Sequence, residues 1–390
     1  MFIGKMGGSV SVALEETKKR IATCLEKKED IVGSVEVKNA IAALTIPDLS
    51  LLVAWGKEKN TDVLLVVASI YEAGSATIPK NLVENFVLTK FVADKTENHR
   101  VFFKLATLYR DGAGVAVNLD EMKAYIEKAA ALFNSEALTW LGVQYDNGTN
   151  GYAVDHVKSV AYYLDAFKYD PNARVACYNM GCHFYEGDAV GLSYYTAYEW
   201  FERAAKLGDV DALMQLAMMN YFGQGCPKHL TKAADLYKEV ISIDPKNSKA
   251  MYQLSVMYQK VFFDEKNHVF LLEQSAALNN PEALNALGLE YLTKNEEKGI
   301  HLLIKAGELG FTFASYNLAM FYKTKPGKQF IALKYFNVAY KKFVNVIDKT
   351  LCSTEMDKLI MVCKGDLLAL LDKVPILPIV TTEEPDTVHV

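Results

Sequence analysis

The sequence lacks the features of disordered, membrane-spanning and disulfide-rich proteins. Only 10 of its 390 residues are proline and 51% are hydrophobic, so a disordered chain is excluded and a large buried core is expected. The longest apolar runs, such as 49–55 and 63–70, are far shorter than the roughly 20 residues that cross a bilayer. The six cysteines are too sparse and irregular for a disulfide framework, and we expect reduced thiols.

The charge does not favour nucleic-acid binding, and the first residues do not favour secretion. The net charge is -5, from 42 basic and 47 acidic residues that are interspersed, so there is no broad basic field to bind phosphates. The first apolar run is broken by Gly4, Gly7 and Gly8, which is not typical of a cleaved secretory signal. The sequence therefore predicts a cytoplasmic protein without a membrane span and without a nucleic-acid partner.

A short pattern recurs eight times along the chain. In each copy a small residue follows a large apolar residue, and in most copies an aromatic residue stands three positions later. Successive small residues lie 31 to 39 residues apart, which is the range of helical repeat arrays. They are Ala68, Ala106, Gly142, Gly181, Ala217, Ser255, Gly288 and Ala319.

The spacing within each copy predicts a helix. The residues one before and three after the small residue are four apart, so they share a helix face that we interpret as a buried stripe. The small residue would let a neighbouring helix come close. A second helical pattern follows each copy, in several cases after a glycine-containing loop such as 111–118, and turns such as 279–283 offer Asn as a helix cap. We predict an all-α solenoid of about eight antiparallel helix pairs over residues 62–345.

The two ends of the chain lack the repeat pattern. Residues 1–61 contain a charged amphipathic stretch over 10–28 and an apolar one over 49–55, and we predict an N-terminal helical cap, with a separate recognition module left open. Residues 346–373 are predicted to form a C-terminal capping helix. Residues 374–390, with three prolines and three acids, are predicted to form a mobile tail.

Segments such as DGAGV at 111–115 and ASYNLAMFY at 314–322 resemble the Sel-one-like repeat (SLR), a relative of the tetratricopeptide repeat. The resemblance implies a right-handed superhelix of helix pairs that binds other proteins as an adaptor or scaffold, with no catalytic residues. The chain departs from members that have a cysteine pair in every repeat, and the loops 259–268 and 291–299 lack the paired glycines of the earlier ones. The matching segments are DGAGV at 111–115, ACYNMGCHFYEG at 176–187, WFERAAKLGDVDA at 200–212 and ASYNLAMFY at 314–322.

No motif in the sequence predicts catalysis or a metal site. The glycine loops 112–114 and 223–225 follow predicted helices rather than strands, so we interpret them as helix-ending turns and not as phosphate loops. Cys177, Cys182 and His183 are the densest group of soft ligands, but the two cysteines lie about 140° apart on one helix and a structural zinc site needs four ligands. The seven histidines form no paired motif. We therefore predict a protein that is not an enzyme, with no metal and no cofactor.

We predict that a partner binds along one face of the first helices. The positions two before and two after each small residue share a face beside the buried stripe. Side-chain amides recur there and can bond the backbone of an extended peptide, while methionine and aromatic neighbours add apolar contact. Asn179 and Asn317 also belong to the repeat signature, and a purely structural role for both stays open. This predicted concave lane, the first-helix surface, comprises Lys104, Trp140, Gln144, Asn179, His183, Gln215, Met219, Gln253, Met257, Glu290, Asn317 and Phe321.

The function that these features predict is a scaffold or adaptor for protein–protein interaction. Its partner would be a protein or an extended peptide whose identity the sequence does not give. Two alternatives stay open, which are a regulatory or activating subunit of an enzyme complex and a secreted effector that interacts with a host.

Overall fold

The computed structural model describes residues 11–27 and 30–362, and every regular element in these ranges is a helix. A π-helical turn, Tyr258–Phe262, directly follows the α-helix Ser248–Met257. The α-helices are α1 (Val12–Glu26), α2 (Val35–Ala42), α3 (Ile46–Lys59), α4 (Thr61–Ala73), α5 (Leu82–Ala93), α6 (His99–Asp111), α7 (Leu119–Ala131), α8 (Ser135–Asn147), α9 (His156–Tyr169), α10 (Arg174–Glu186), α11 (Tyr194–Lys206), α12 (Val210–Phe222), α13 (Leu230–Ile243), α14 (Ser248–Met257), α15 (Glu265–Ala277), α16 (Pro281–Lys294), α17 (Glu296–Glu308), α18 (Thr312–Lys323), α19 (Gln329–Lys342) and α20 (Val346–Val362).

Helices α4 to α19 form the eight predicted pairs, and they are divided between two compact units. The first unit ends at Asp209 and contains the pairs α4/α5, α6/α7, α8/α9 and α10/α11. The second begins at Val210 and contains the pairs α12/α13, α14/α15, α16/α17 and α18/α19. Within each unit the second helix of a pair packs against the first helix of the next pair. Each unit is therefore an α-solenoid whose core grows with every added pair.

Additional helices stand before the first pair and after the last. The helices expected over 10–28 and 49–55 are present as α1 and α3, whereas α2 was not predicted. Helices α2 and α3 pack against α4, and α20 packs against α19. The remainder of the predicted capping helix and the predicted tail lie outside the described residues.

Of the two positions in the predicted buried stripe, the apolar residue before the small residue is buried on all eight first helices. The apolar residue before each small residue is at most 7% exposed, the value of Leu287. The small residues allow close packing, because a Cβ added at Gly142 would lie 2.5 Å from the Tyr163 ring and one at Gly181 would lie 2.6 Å from the Phe201 ring. Glycine thus brings the second helix of its own pair into contact with the first.

The aromatic residues three positions after the small residue join the two helices of a pair. Tyr109 stacks on Tyr125 with ring centroids 6.0 Å apart, and Tyr322 stacks on Tyr335 at 5.9 Å. In both cases one ring belongs to the first helix and the other to the second. Most of the eight positions are only partly buried, so they form the edge of the core rather than its centre.

Glycine and asparagine end and begin the helices as predicted. Gly112 ends α6 with a left-handed backbone (φ 66°), which confirms that its glycine loop is a helix-ending turn. Asn280 begins α16, where its side chain accepts a hydrogen bond from the Ala283 amide. The loops 259–268 and 291–299, which lack paired glycines, end their first helices in other ways. The π-helical turn is followed by Phe263, which has a left-handed backbone (φ 53°). Asn295 alone connects α16 to α17.

Candidate partner-binding surface

The predicted members of the first-helix surface that stand two residues before the small residue remain at least partly accessible. Gln253 is exposed, and the other predicted members at this position are half-buried. Lys104 forms an ion pair with Glu72 of α4 across 2.5 Å. The half-buried members are Lys104, Trp140, Asn179, Gln215 and Asn317.

Two of these side chains also hold neighbouring helices together. The Asn179 amide donates to the hydroxyl of Tyr163 on α9 (3.0 Å), and the Asn317 amide donates to Oδ1 of Asn285 on α16 (2.8 Å). The structural role left open for these asparagines is therefore present. Each retains part of its surface for a further contact because it is only half-buried.

Most positions two residues after the small residue point into the protein. Gln144 and His183 are each 5% exposed, Met257 is 1% exposed and Met219 is fully buried. A partner could touch these four side chains only if the surrounding helices moved. The expectation that they line an accessible surface is not supported by their burial, and we leave them out of the proposed surface.

Gln144 shows what such a buried position does instead. Its Oε1 accepts hydrogen bonds from the Thr149 hydroxyl (2.6 Å) and from the Asn150 amide (2.7 Å). Both donors lie in the turn after α8, so Gln144 fixes that turn to the helix.

Glu290 and Phe321, the last two predicted members of the first-helix surface, are half-buried and contact side chains of the second unit. Nε2 of the buried His268 lies 3.2 Å from Oε1 of Glu290. Phe321 lies at the edge of the Tyr322 ring, and the Lys325 ammonium lies 4.7 Å from its centroid.

His183 lies between two carboxylates. Its Nε2 is 3.0 Å from Oδ1 of Asp146 and 3.3 Å from Oγ of Ser159, and its Nδ1 is 2.9 Å from Oδ1 of Asp188. Burial lowers the pKa of His183, but the hydrogen bonds to the two carboxylates outweigh burial and raise that pKa above its usual value. Burial raises the pKa of Asp146, but hydrogen bonds from His183, Ser159 and Tyr163 outweigh it and lower that pKa to about 2.

A cleft in the first unit adjoins Lys104. It has a volume of about 840 Å³ and extends from α6 to the turn before α8 and the end of α9. Arg100, one turn before Lys104, lines it and is exposed. The residues that line it are His99, Arg100, Phe103, Lys104, Thr107, Phe133, Asn134, Ser135, Glu136, Tyr169 and Asp170.

Two exposed aromatic residues stack on one another in this cleft. The rings of Phe133 and Tyr169 are 4.4 Å apart and nearly parallel at 19°. Phe133 is 56% exposed and Tyr169 is 41% exposed, although both are large and apolar. They were missed in the sequence because Phe133 lies in the turn after α7 and Tyr169 is the last residue of α9, where only helix-capping and turn signals were sought.

The cysteines near the first-helix surface are unreactive. Burial raises the pKa of the Cys177 thiol and of the Cys182 thiol to about 11, so both are neutral at pH 7. Cys24, Cys226 and Cys352 likewise form no disulfide bond, whereas Cys363 lies outside the described residues.

The family model of the Sel1 repeat matches six segments of the chain. Each matched segment begins within a first helix described above. The segments are 103–132, 135–166, 174–209, 210–239, 248–260 and 281–311. The chain is a Sel1-repeat protein. The pairs α4/α5 and α18/α19 lie outside the matched segments but have the same two-helix build.

Known relatives of this Sel1-repeat protein agree with the fold. A protective antigen of uropathogenic Escherichia coli with an SLR fold superposes with a TM-score of 0.67 at 20% identity, covering 85% of this chain and 72% of that one. A Sel1 repeat protein from Oxalobacter formigenes gives a TM-score of 0.51 at 21% identity, covering 68% of this chain and 99% of that one. At these identities the likeness concerns the fold alone.

A curated relative shares a shorter stretch of sequence. An uncharacterised Sel1-like repeat-containing protein of Schizosaccharomyces pombe is 33% identical over 88 residues, which are 23% of this chain and 12% of that protein.

No described helix combines the length and the apolar character that a bilayer crossing requires.

Proposed function

We propose that this Sel1-repeat protein is a non-enzymatic scaffold that binds a segment of a partner protein on the accessible part of the first-helix surface. Stacked repeats present a continuous row of equivalent positions, which suits recognition of an extended chain. The observation that carries the proposal is the cleft of about 840 Å³ beside Lys104, with its exposed aromatic stack.

The chemistry of this cleft favours a particular kind of segment. Phe133 and Tyr169 offer flat apolar surface at low entropic cost, which is typical of residues that dominate binding energy. Arg100 is exposed at the start of α6 and can pair with a carboxylate. We therefore propose a partner segment that carries an aromatic or aliphatic side chain and an acidic residue, with Trp140 and Asn179 contacting its continuation.

In the second unit we propose that the accessible members Gln215, Gln253 and Asn317 act in the same way. Gln253 is exposed, so its amide can bond the backbone of an extended peptide. We further propose that the terminal helices are caps. We also propose that the protein is cytoplasmic, because its described cysteines form no disulfide bond.

Site-directed photo-crosslinking in the native host tests the surface directly. A photoreactive amino acid is placed at Phe133 in the first unit and at Gln253 in the second. The matched controls are Glu127 on α7 and Glu239 on α13, which are exposed positions on second helices. We expect a specific partner to be crosslinked from Phe133 or Gln253 and from neither control.

The purified partner then allows affinities to be compared. Phe133→Ala with Arg100→Ala, and separately Asn179→Ala with Gln215→Ala and Gln253→Ala, should each weaken binding about tenfold or more, since a lost anchor costs over 1 kcal/mol. Equal affinity for all variants, or equal crosslinking from the controls, would refute the proposed surface. A stoichiometric enzyme as partner would favour a regulatory subunit, and intact protein in the culture medium would favour a secreted effector.

A further inference from the structure

The repeat arrangement brings two histidines and an aspartate from three helices to one place in the first unit. Asp146 lies in the last turn of α8, His156 is the first residue of α9 and His183 lies in the last turn of α10. These helices pack consecutively, α8 on α9 and α9 on α10. Their ends therefore meet although His156 and His183 are 27 residues apart in the sequence.

The potential ligand atoms have the spacing that a small divalent cation requires. Oδ1 of Asp146 is 3.3 Å from Nδ1 of His156 and 3.0 Å from Nε2 of His183, and the three atoms lie within 4.8 Å of one another. Bonds of 2.0–2.1 Å in a tetrahedral zinc site place neighbouring ligand atoms roughly 3.3 Å apart. The three atoms can thus surround one ion after small side-chain rotations.

A second set of contacts orients two of these ligands. Nδ1 of His183, the nitrogen that faces away from the other two ligands, is 2.9 Å from Oδ1 of Asp188. The Tyr163 hydroxyl donates to Oδ2 of Asp146 (2.7 Å) and accepts from the Asn179 amide (3.0 Å). Metal-bound histidine typically donates its other N–H to a carboxylate in this way, and metal-bound carboxylates are themselves hydrogen-bonded.

We propose that Asp146, His156 and His183 form a binding site for a divalent transition-metal ion of the zinc class. Two imidazoles favour such an ion over Mg²⁺ or Ca²⁺, which prefer oxygen ligands alone. The carboxylates of Asp146 and Asp188 together balance the charge of a 2+ ion. Three protein ligands leave a fourth coordination position for water, and the site is not sealed from solvent because the His156 side chain is 39% exposed. The ion would tie the ends of α8, α9 and α10 together.

Titration of the metal-free full-length protein with Zn²⁺ and with Co²⁺ tests the site. We expect one equivalent of Co²⁺ to give the visible absorption of a low-coordinate ion, and one equivalent of Zn²⁺ to displace it. Zn²⁺ should also raise the thermal unfolding midpoint, because it binds only the folded chain.

His156→Ala is the decisive variant, since its half-exposed side chain can be removed without opening the core. It should weaken Zn²⁺ binding at least tenfold and abolish the thermal shift, and Asp188→Asn should weaken binding about 10–100-fold by releasing His183. His301→Ala, at an exposed position far along the sequence, serves as the matched control and should bind normally. Absence of stoichiometric binding, or binding that His156→Ala leaves unchanged, would overturn the proposal whether or not variants of the buried His183 fold.

Discussion

Glycine at the centre of a first helix contributes to packing because it has no Cβ. Helix interiors normally favour alanine over glycine by about 1 kcal/mol, so Gly142 and Gly181 each need a compensating gain. That gain is the close approach of the Tyr163 and Phe201 rings, which lie where a Cβ would stand. Both rings are almost fully buried as a result.

The first prediction concerns Gly181. Gly181→Ala should destabilise the protein by about 1–3 kcal/mol despite the better helix propensity of alanine, because the new Cβ would lie 2.6 Å from the Phe201 ring. Urea denaturation followed by circular dichroism measures the change. Gly191→Ala is the control, since its Cβ would meet nothing within 4 Å. Equal midpoints for the two variants would show that the close approach does not matter.

The second prediction separates two glutamines with different roles. Gln144→Ala should cost about 1–2 kcal/mol of stability, because Thr149 and Asn150 in the adjoining turn lose their acceptor. Gln253→Ala should leave stability unchanged because its side chain is exposed. Thermal unfolding of both variants provides the comparison. A loss of stability in Gln253→Ala alone would reverse the roles that we assign.

At the scale of whole elements, the last described helix is attached by charge as well as by apolar contact. Lys323 at the end of α18 donates a hydrogen bond to Glu355 of α20, and Lys358 on α20 donates a second. Cys352 of the same helix is fully buried against the core of this unit. The position of α20 thus depends on both kinds of contact.

The third prediction is a pH dependence of this attachment. Hydrogen bonds from Lys323 and Lys358 lower the pKa of Glu355 below its usual 4.5. The stabilisation is therefore present above pH 4.5 and is lost as the pH falls through the lower pKa of the folded state. Glu355→Gln should lower stability by up to about 1 kcal/mol at pH 7, and the difference should shrink as the pH falls below 4.5.

Thermal melts across this pH range measure the effect, and Asp357→Asn, at an exposed position on the same helix, is the control. A difference between wild type and Glu355→Gln that does not shrink at any pH below 4.5 would exclude the ionic contribution.

At the scale of the whole molecule, the division into two units has a direct consequence. Each unit contains four complete helix pairs and its own core, and solenoid stability is a sum over repeats and their nearest-neighbour contacts. The fourth prediction is that residues 1–209 and residues 210–390 each fold when produced separately. Circular dichroism should show helix and cooperative melting for both. An unfolded fragment would mean that its unit depends on the other for stability.

Much of the fold could be predicted because repetition multiplies a weak local signal. One small residue flanked by apolar ones indicates little, but eight copies at regular spacing identified every pair from α4 to α19. Helix α2 was missed since it occurs once, outside the array. The two-unit division was missed as well, because the repeat pattern continues across Asp209 without interruption.

The binding surface could be predicted only in part. Helical periodicity placed two positions beside the buried stripe, but it could not tell which one the packing of the second helix would bury. The predicted members two residues before the small residue stayed accessible, whereas Met219 and Met257 became core. The Phe133–Tyr169 stack joins the turn after α7 to the end of α9, so no local pattern contains it.

The sequence by itself determined the all-α class, the repeat period, the buried stripe and the turns that end each helix. All of these follow from contacts between residues within one repeat, which periodicity records directly. Only the tertiary structure decided which side chains remain accessible and that Asp146, His156 and His183 meet at the ends of three helices. Such groupings depend on how neighbouring repeats stack. A single sequence does not show which residues of neighbouring repeats are in contact.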